Sequence, residues 1–241
     1  MKERSSLTAS FIAVARGLGE QLPEDARLVV DPHGLRFAER WLRLLAAFPR
    51  VFGRLLADAI VAVQLRTKLV DDVLAAFLRE GGEQVVVLGA GYDCRALRFA
   101  DALAHVRFFE VDHPATQRRK RALASSSHAR YVAFDFERGV DALADALVAH
   151  DFDRSKAALT IWEGVTMYLS EDAVDASTRA IASWSSPRST FVFSYFTPAA
   201  VARGQRRGLL RRLLASSGEP LRFGIDPARV SPWLSERGFA L

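Results

Sequence analysis

One cysteine, Cys94, stands in a chain of 241 residues. A lone thiol excludes an internal disulfide framework and a cluster of thiolate metal ligands, so no metal site is expected and the reading is a cytoplasmic one. Nowhere do about eighteen apolar residues follow one another, and no membrane-spanning helix is expected. Internal repeats and low-complexity linkers are missing too. The N-terminal stretch imitates a signal peptide, with Lys2 and Arg4 ahead of an apolar run. However, Thr8 and Ser10 interrupt that run, and Leu7, Phe11, Val14 and Leu18 share one helical face, which predicts an amphipathic helix. What is present is a core: half of the residues are hydrophobic, enough to bury one substantial interior. The net charge of +5 comes with arginine far outnumbering lysine, and a compositional bias accounts for that better than a nucleic-acid surface does.

Residues 5–80 read as helical, without a convincing strand. Pro23 and the Asp31-Pro32-His33-Gly34 turn separate a first helix from a second over 36–48, which Pro49 ends. A third, over 51–78, carries Leu55, Ile60, Val63, Leu69, Val73 and Phe77, and Gly81-Gly82 closes it. This predicts an N-terminal helical cap over 1–82 and a core over 83–241. From Val85 the rhythm changes. Apolar runs begin near Val85, Val106, Tyr131, Ala157 and Thr190, and helical patterns fill 95–104, 114–124, 139–149 and 170–184. Each gap suits a crossover helix and is too long for a hairpin, so the class is α/β, a doubly wound parallel sheet.

Ligands of such sheets sit over the carboxyl ends of the strands. The run Val85-Val86-Val87-Leu88 stops in Gly89 and Gly91, a turn that brings backbone close to a ligand. About twenty residues on, the second strand ends in Glu110 and Asp112, the distance at which a carboxylate meets a ribose diol. Asp135-Phe136 follows the third strand, an acid beside an aromatic that suits an adenine, and Glu163-Gly164 follows the fourth. Such a ring of acids fits a ligand with a ribose, an adenine and a positive charge. S-adenosyl-L-methionine has all three, whereas a pyrophosphate cofactor would be repelled, and Cys94 stands where the dinucleotide fingerprint has its third glycine. Two other readings share some features: an NAD(P)-dependent oxidoreductase, and a basic nucleic-acid-binding protein using Arg203, Arg206, Arg207, Arg211 and Arg212.

The segments Leu88-Gly89-Ala90-Gly91-Tyr92-Asp93-Cys94-Arg95, Phe109-Glu110-Val111-Asp112-His113-Pro114, Asp135-Phe136 and Trp162-Glu163-Gly164-Val165-Thr166-Met167-Tyr168-Leu169 resemble, in order and spacing, the leucine carboxyl methyltransferase family. The likeness is to its bacterial, largely actinobacterial branch and runs from about Ser6 onward. It implies a class I methyltransferase fold under a helical cap, with S-adenosyl-L-methionine as cofactor. By motif match, it implies that Arg66, in Leu65-Arg66-Thr67-Lys68, pairs with the methionine carboxylate. It likewise implies that Gly89 lines the methionine moiety, Asp112 the ribose, Asp135 and Phe136 the adenine, and Glu163 the amino group. Cys94, His113 and Phe136 depart from the family's usual threonine, apolar residue and leucine.

The expected acceptor is a carboxylate or hydroxyl on a small molecule or peptide. A carboxylate is ionised at neutral pH and requires no base; a hydroxyl requires one, for which His113, Glu163, Tyr168 and Tyr195 are the candidates. His113 reads better as a helix-start residue and Tyr168 as a packing residue. Finally, residues 188–196 supply a fifth strand and 226–238 a helix, so Phe239-Ala240-Leu241 only begins a sixth strand. The final strands of the class I fold are expected to be missing, the chain being a truncated form of a longer enzyme. Residues 190–195 would then form an uncovered apolar edge, open to self-association.

Overall fold

The computed structural model describes residues 7–21, 27–39, 49–136, 139–206 and 220–241. Helix α1 (Leu7–Gly17) forms where expected; of the face predicted to turn inward, Val14 and Leu18 are buried and Phe11 half-buried, while consecutive Ala13, Val14 and Ala15 are all buried, so the C-terminal half is enclosed on every side. The following 3₁₀ turn, Gly34–Phe37, replaces the start of the helix expected over 36–48, and residues 40–48 lie outside the described ones. Helix α2 (Pro49–Arg79) is 31 residues long. Ile60, Val63, Thr67, Val70, Leu74 and Phe77 are buried at spacings of three and four, the period of a helix with one face inward. Its first half packs on α1 through Ile60 and Val63. Its second half lies on the sheet, with Val70, Leu74 and Phe77 against Val85, Val87, Phe108, Leu159 and Ile161. Each such side chain contributes about 1.5–3 kcal/mol by leaving water. The helix ends where Gly81 takes φ +83°, a conformation that costs a residue without Cβ little.

Five parallel strands follow: β1 (Gln84–Leu88), β2 (Arg107–Asp112), β3 (Ala129–Ala133), β4 (Leu159–Trp162) and β5 (Thr190–Phe193). Their order is β3-β2-β1-β4-β5, and Val86 stands opposite both Phe109 and Thr160. β1 is buried along its whole length, which is why it reads as an unbroken apolar run. Between the strands run α3 (Arg95–Arg98), α4 (Pro114–Leu123), α5 (Leu143–Val148) and α6 (Glu171–Trp184); α7 (Pro198–Arg206) and α8 (Pro227–Ser235) come after β5. Several elements are shorter than their patterns. The helix expected over 95–104 is α3 plus turns, and the fifth strand keeps only four residues of the nine expected over 188–196. Caps account for three helix starts: a ring nitrogen of His113, Ser170 Oγ and Asp226 Oδ1 accept the amides of Ala115, Ala173 and Ala228.

Leu143, Leu147, Val174, Ile181, Val230 and Leu234 cover the face of the sheet opposite α2, completing a doubly wound arrangement. The crossovers change direction between β1 and β4, which places the crevice at their carboxyl ends. β5 is the last strand of the described sheet on its side. Its apolar face, expected to be bare, is half-buried, because α8 and the residues after it fold back on it. Phe191 lies 5.0 Å from Phe239 and Phe193 6.1 Å from Trp233, ring to ring. No described helix is long and apolar enough to cross a membrane.

Candidate functional site

The turn after β1 brings the first two groups together. Gly89 and Gly91 take φ +64° and +49°, and a Cβ on Gly89 would come within 2.4 Å of Val165 Cγ2. The Gly91 amide donates to Asp112 Oδ2, and the His113 amide donates to Oδ1 at 2.6 Å. Asp112 therefore stitches the glycine turn to the end of β2. Burial pushes its carboxyl above the usual range, opposed by the two amides. Glu110 shares its face of β2 but not its position. It is 1% exposed and pairs with Lys120 of α4 at 2.6 Å, and burial pushes its carboxyl up to about 7 against the pull of that lysine. Of the two acids, Asp112 is bonded to the glycine turn and Glu110 is sealed against α4.

The end of β4 supplies the second grouping. Glu163 Oε1 accepts from Arg66 Nε and Oε2 from Arg95 Nη2, both at 2.8 Å. Burial alone would raise the Glu163 carboxyl, but Arg95 and Arg66 outweigh it and hold the group below its usual range. Gly164 follows with φ +72°, a backbone conformation that favours glycine; a Cβ there would stand 3.4 Å from Arg66 Nη2, an ordinary contact, so the backbone and not the space calls for glycine. Ser194, beyond β5, accepts the Gly164 amide at 2.8 Å. Arg66 reaches this place from α2, and its side chain remains 24% exposed.

Asp135 and Phe136 sit just past β3, half-buried, one strand beyond Asp112. The Phe134 amide donates to the Asp112 carbonyl at 2.9 Å, and Phe136 meets Phe134 edge to face at 5.3 Å. Direct hydrogen bonds thus join Gly91 to Asp112 and Arg66 to Glu163, while the third strand end is joined through backbone. His113 caps α4, the helix-start role expected of it. Tyr168 lies in a 3₁₀ turn and packs with Met167, Val201 and Leu221. Arg203 and Arg206 lie on α7; Arg207, Arg211 and Arg212 fall outside the described residues.

Residues 9–182 match the family model of leucine carboxyl methyltransferase. The chain belongs to the leucine carboxyl methyltransferase family. A Streptomyces avermitilis relative is 35% identical over 185 residues, covering 73% of this chain and 57% of the relative. One from Mycobacterium marinum is 32% identical over 182 residues, covering 73% and 58%. One from Frankia alni is 30% identical over 245 residues, covering 97% and 79%. All three carry the name of candidate S-adenosyl-L-methionine-dependent methyltransferases. The chain therefore spans less than two thirds of the length of the first two relatives. Among solved structures, a candidate methyltransferase from Thermobifida fusca superposes with TM-score 0.63 at 16% identity, over 98% of this chain and 81% of that one. A duf574 family protein from Streptomyces avermitilis gives 0.64 at 17%, over 98% and 82%. These two share the fold.

Around the family's motif residues lies a set of charges that motif reading passed over. Fully buried Arg95 directs each of its three guanidinium nitrogens at a different carboxylate: Nε at Asp71 Oδ1 (2.7 Å), Nη1 at Asp93 Oδ2 (2.5 Å) and Nη2 at Glu163 Oε2 (2.8 Å). Arg98 adds a second cation to Asp71 at 2.7 Å. Arg16 of α1 pairs with Asp31 at 3.1 Å and donates to the Tyr92 carbonyl in the glycine turn. One signal was available in the sequence. Asp93 and Arg95 stand inside a motif whose neighbours are apolar, and a charge held in such a place needs a partner.

Proposed function

We propose that this chain binds S-adenosyl-L-methionine at the β1–β4 crevice and transfers its methyl group to a carboxylate of a small molecule or peptide. One observation carries the reading. The ends of β2 and β4, which flank the glycine turn of β1, present a carboxylate held by that turn, Asp112, and an ion pair, Arg66 with Glu163. The residues fit the group. Asp112 uses one lone pair of each oxygen on an amide and has acceptor capacity left for a diol. Glu163 stays ionised and suits an ammonium, while the exposed part of Arg66 offers two-pronged geometry to a carboxylate. Asp135 and Phe136 would hold the adenine, and Gly89 would let backbone lie against the methionine moiety. When bound, the cofactor supplies an electrophilic sulfonium methyl.

The residues at hand favour an acceptor that is already ionised. Among the base candidates, Glu163 is engaged by two arginines and held in its charged form. The ring nitrogen of His113 is used on the Ala115 amide. Tyr195 packs 5.7 Å from Phe193 in the aromatic cluster. A carboxylate makes a base unnecessary, and the enzyme's task reduces to alignment and exclusion of water. Titration calorimetry with S-adenosyl-L-homocysteine tests the reading. Asp112→Asn should weaken binding by about 1–3 kcal/mol, the cost of mispaired hydroxyls. Unchanged affinity would remove Asp112 from the ribose, and absence of binding to the parent protein would overturn the reading as a whole.

A further inference from the structure

We propose that Arg95 is a positioning residue of the cofactor site, acting through Glu163 to set the orientation of Arg66. This rests on the cofactor reading above and goes beyond it, because Arg95 is sealed from solvent, 1% exposed, behind Glu163. Its plane is fixed from three sides by carboxylates on three elements: Asp71 on α2, Asp93 in the glycine turn and Glu163 after β4. The Asp93 carboxylate also accepts the Arg95 amide at 2.7 Å, which ties side chain and backbone to one anchor. A guanidinium held on every nitrogen cannot rotate without leaving a buried carboxylate unpaired, so Glu163 Oε2 is held with it. Glu163 Oε1 is thereby aimed at Arg66 Nε, on the rim of the crevice. The charges balance along the path. Asp71, Asp93 and Glu163 face Arg66, Arg95 and Arg98, so the cluster remains compensated while its outermost member faces the ligand.

Lysine at position 95 would keep the charge and lose the three-way geometry, since an ammonium is a point charge on a flexible stem. The test is a double-mutant cycle on S-adenosyl-L-homocysteine affinity, using the parent, Arg95→Lys, Arg66→Lys and the double variant. Arg95→Lys should weaken binding about tenfold in the parent, the scale of one misaligned charged hydrogen bond. In the Arg66→Lys background it should weaken binding by less than about twofold, the scatter of uncoupled sites, because the residue it positions is already replaced. Additive losses would show that Arg95 affects the fold generally, and an unchanged affinity in Arg95→Lys would show that it does not act on the site; either overturns the proposal. Should Arg95→Lys not fold, Asp71→Asn takes its place in the cycle with the same expected coupling. Failure of the parent to bind would instead overturn the cofactor reading, so the two failures are distinguishable.

Discussion

Two sets of buried charges lie within one α/β core, and they are built differently. Glu110 and Lys120 form a closed pair between β2 and α4, 1% and 3% exposed at their side chains. The Arg95 cluster joins α2, the glycine turn and β4, and ends in Arg66, a quarter of which meets solvent. A closed pair can only hold two elements together, and burial works against its charged state: the Glu110 carboxyl is pushed up to about 7. An open-ended network holds elements together and also presents a charge where a ligand can take it. Buried charge therefore marks the site only where the network reaches the crevice.

The largest expected effect separates the two sets by removing their cations. Arg95→Ala leaves Asp93 buried without its cation and takes one of two partners from Asp71 and from Glu163, and should destabilise by about 3–5 kcal/mol in urea unfolding. Lys120→Met should cost less, about 1–3 kcal/mol, because Glu110 can take up a proton instead of remaining charged. Equal losses would erase the distinction. The double variant Glu110→Gln with Lys120→Met should return to within about 1 kcal/mol of the parent, as replaced buried pairs do. Arg66→Lys addresses the open end: calorimetry should show cofactor-product affinity falling by about 1–2 kcal/mol with melting temperature little changed. A large drop in melting temperature with normal binding would make Arg66 a structural residue.

The smallest effect is a pH dependence. Burial would raise the Glu163 carboxyl, but Arg95 and Arg66 hold it below its ordinary value of 4.5. A depressed carboxyl contributes stability that is fully present above 4.5 and is lost as the pH falls through the lower folded value. Asp112, raised by burial, runs the other way, so the parent's curve alone mixes both signs. The difference between parent and Glu163→Gln isolates the effect and should shrink as the pH is lowered below 4.5. A difference independent of pH would show that the two arginines do not hold the carboxylate.

Much of the sheet was legible in the residues. Val85-Val86-Val87-Leu88 names a strand buried on both faces because a crossover fold leaves its central strand no solvent side. Asp112 and Glu163 were legible as strand-end acids, since alternation and spacing place them there. The helix expected over 95–104 is only Arg95–Arg98: the apolar pattern continues through Leu103, but a turn packs those side chains equally well. Leu69, one of the apolar residues its helix carries, is 66% exposed, since the buried stripe runs through Thr67 and Val70. The apolar face of β5, expected to be bare, is half-covered by the return of Trp233 and Phe239 onto Phe193 and Phe191, which has no local signal in the sequence.

By itself the sequence determined the local part of this protein: which runs are strands, where glycine permits a close approach, and which acids stand at strand ends. Those follow from side-chain period and backbone sterics over a few residues. Only the tertiary structure decided that Glu110 is sealed against Lys120 while Asp112 binds the glycine turn, and that Asp71, Asp93, Arg95 and Glu163 form one network. Asp71 and Arg95 are separated by 24 positions, Arg95 and Glu163 by 68. What joins them is the packing of α2 on the sheet and the pairing of β1 with β4, and a buried charge is stable only where such packing brings its partner.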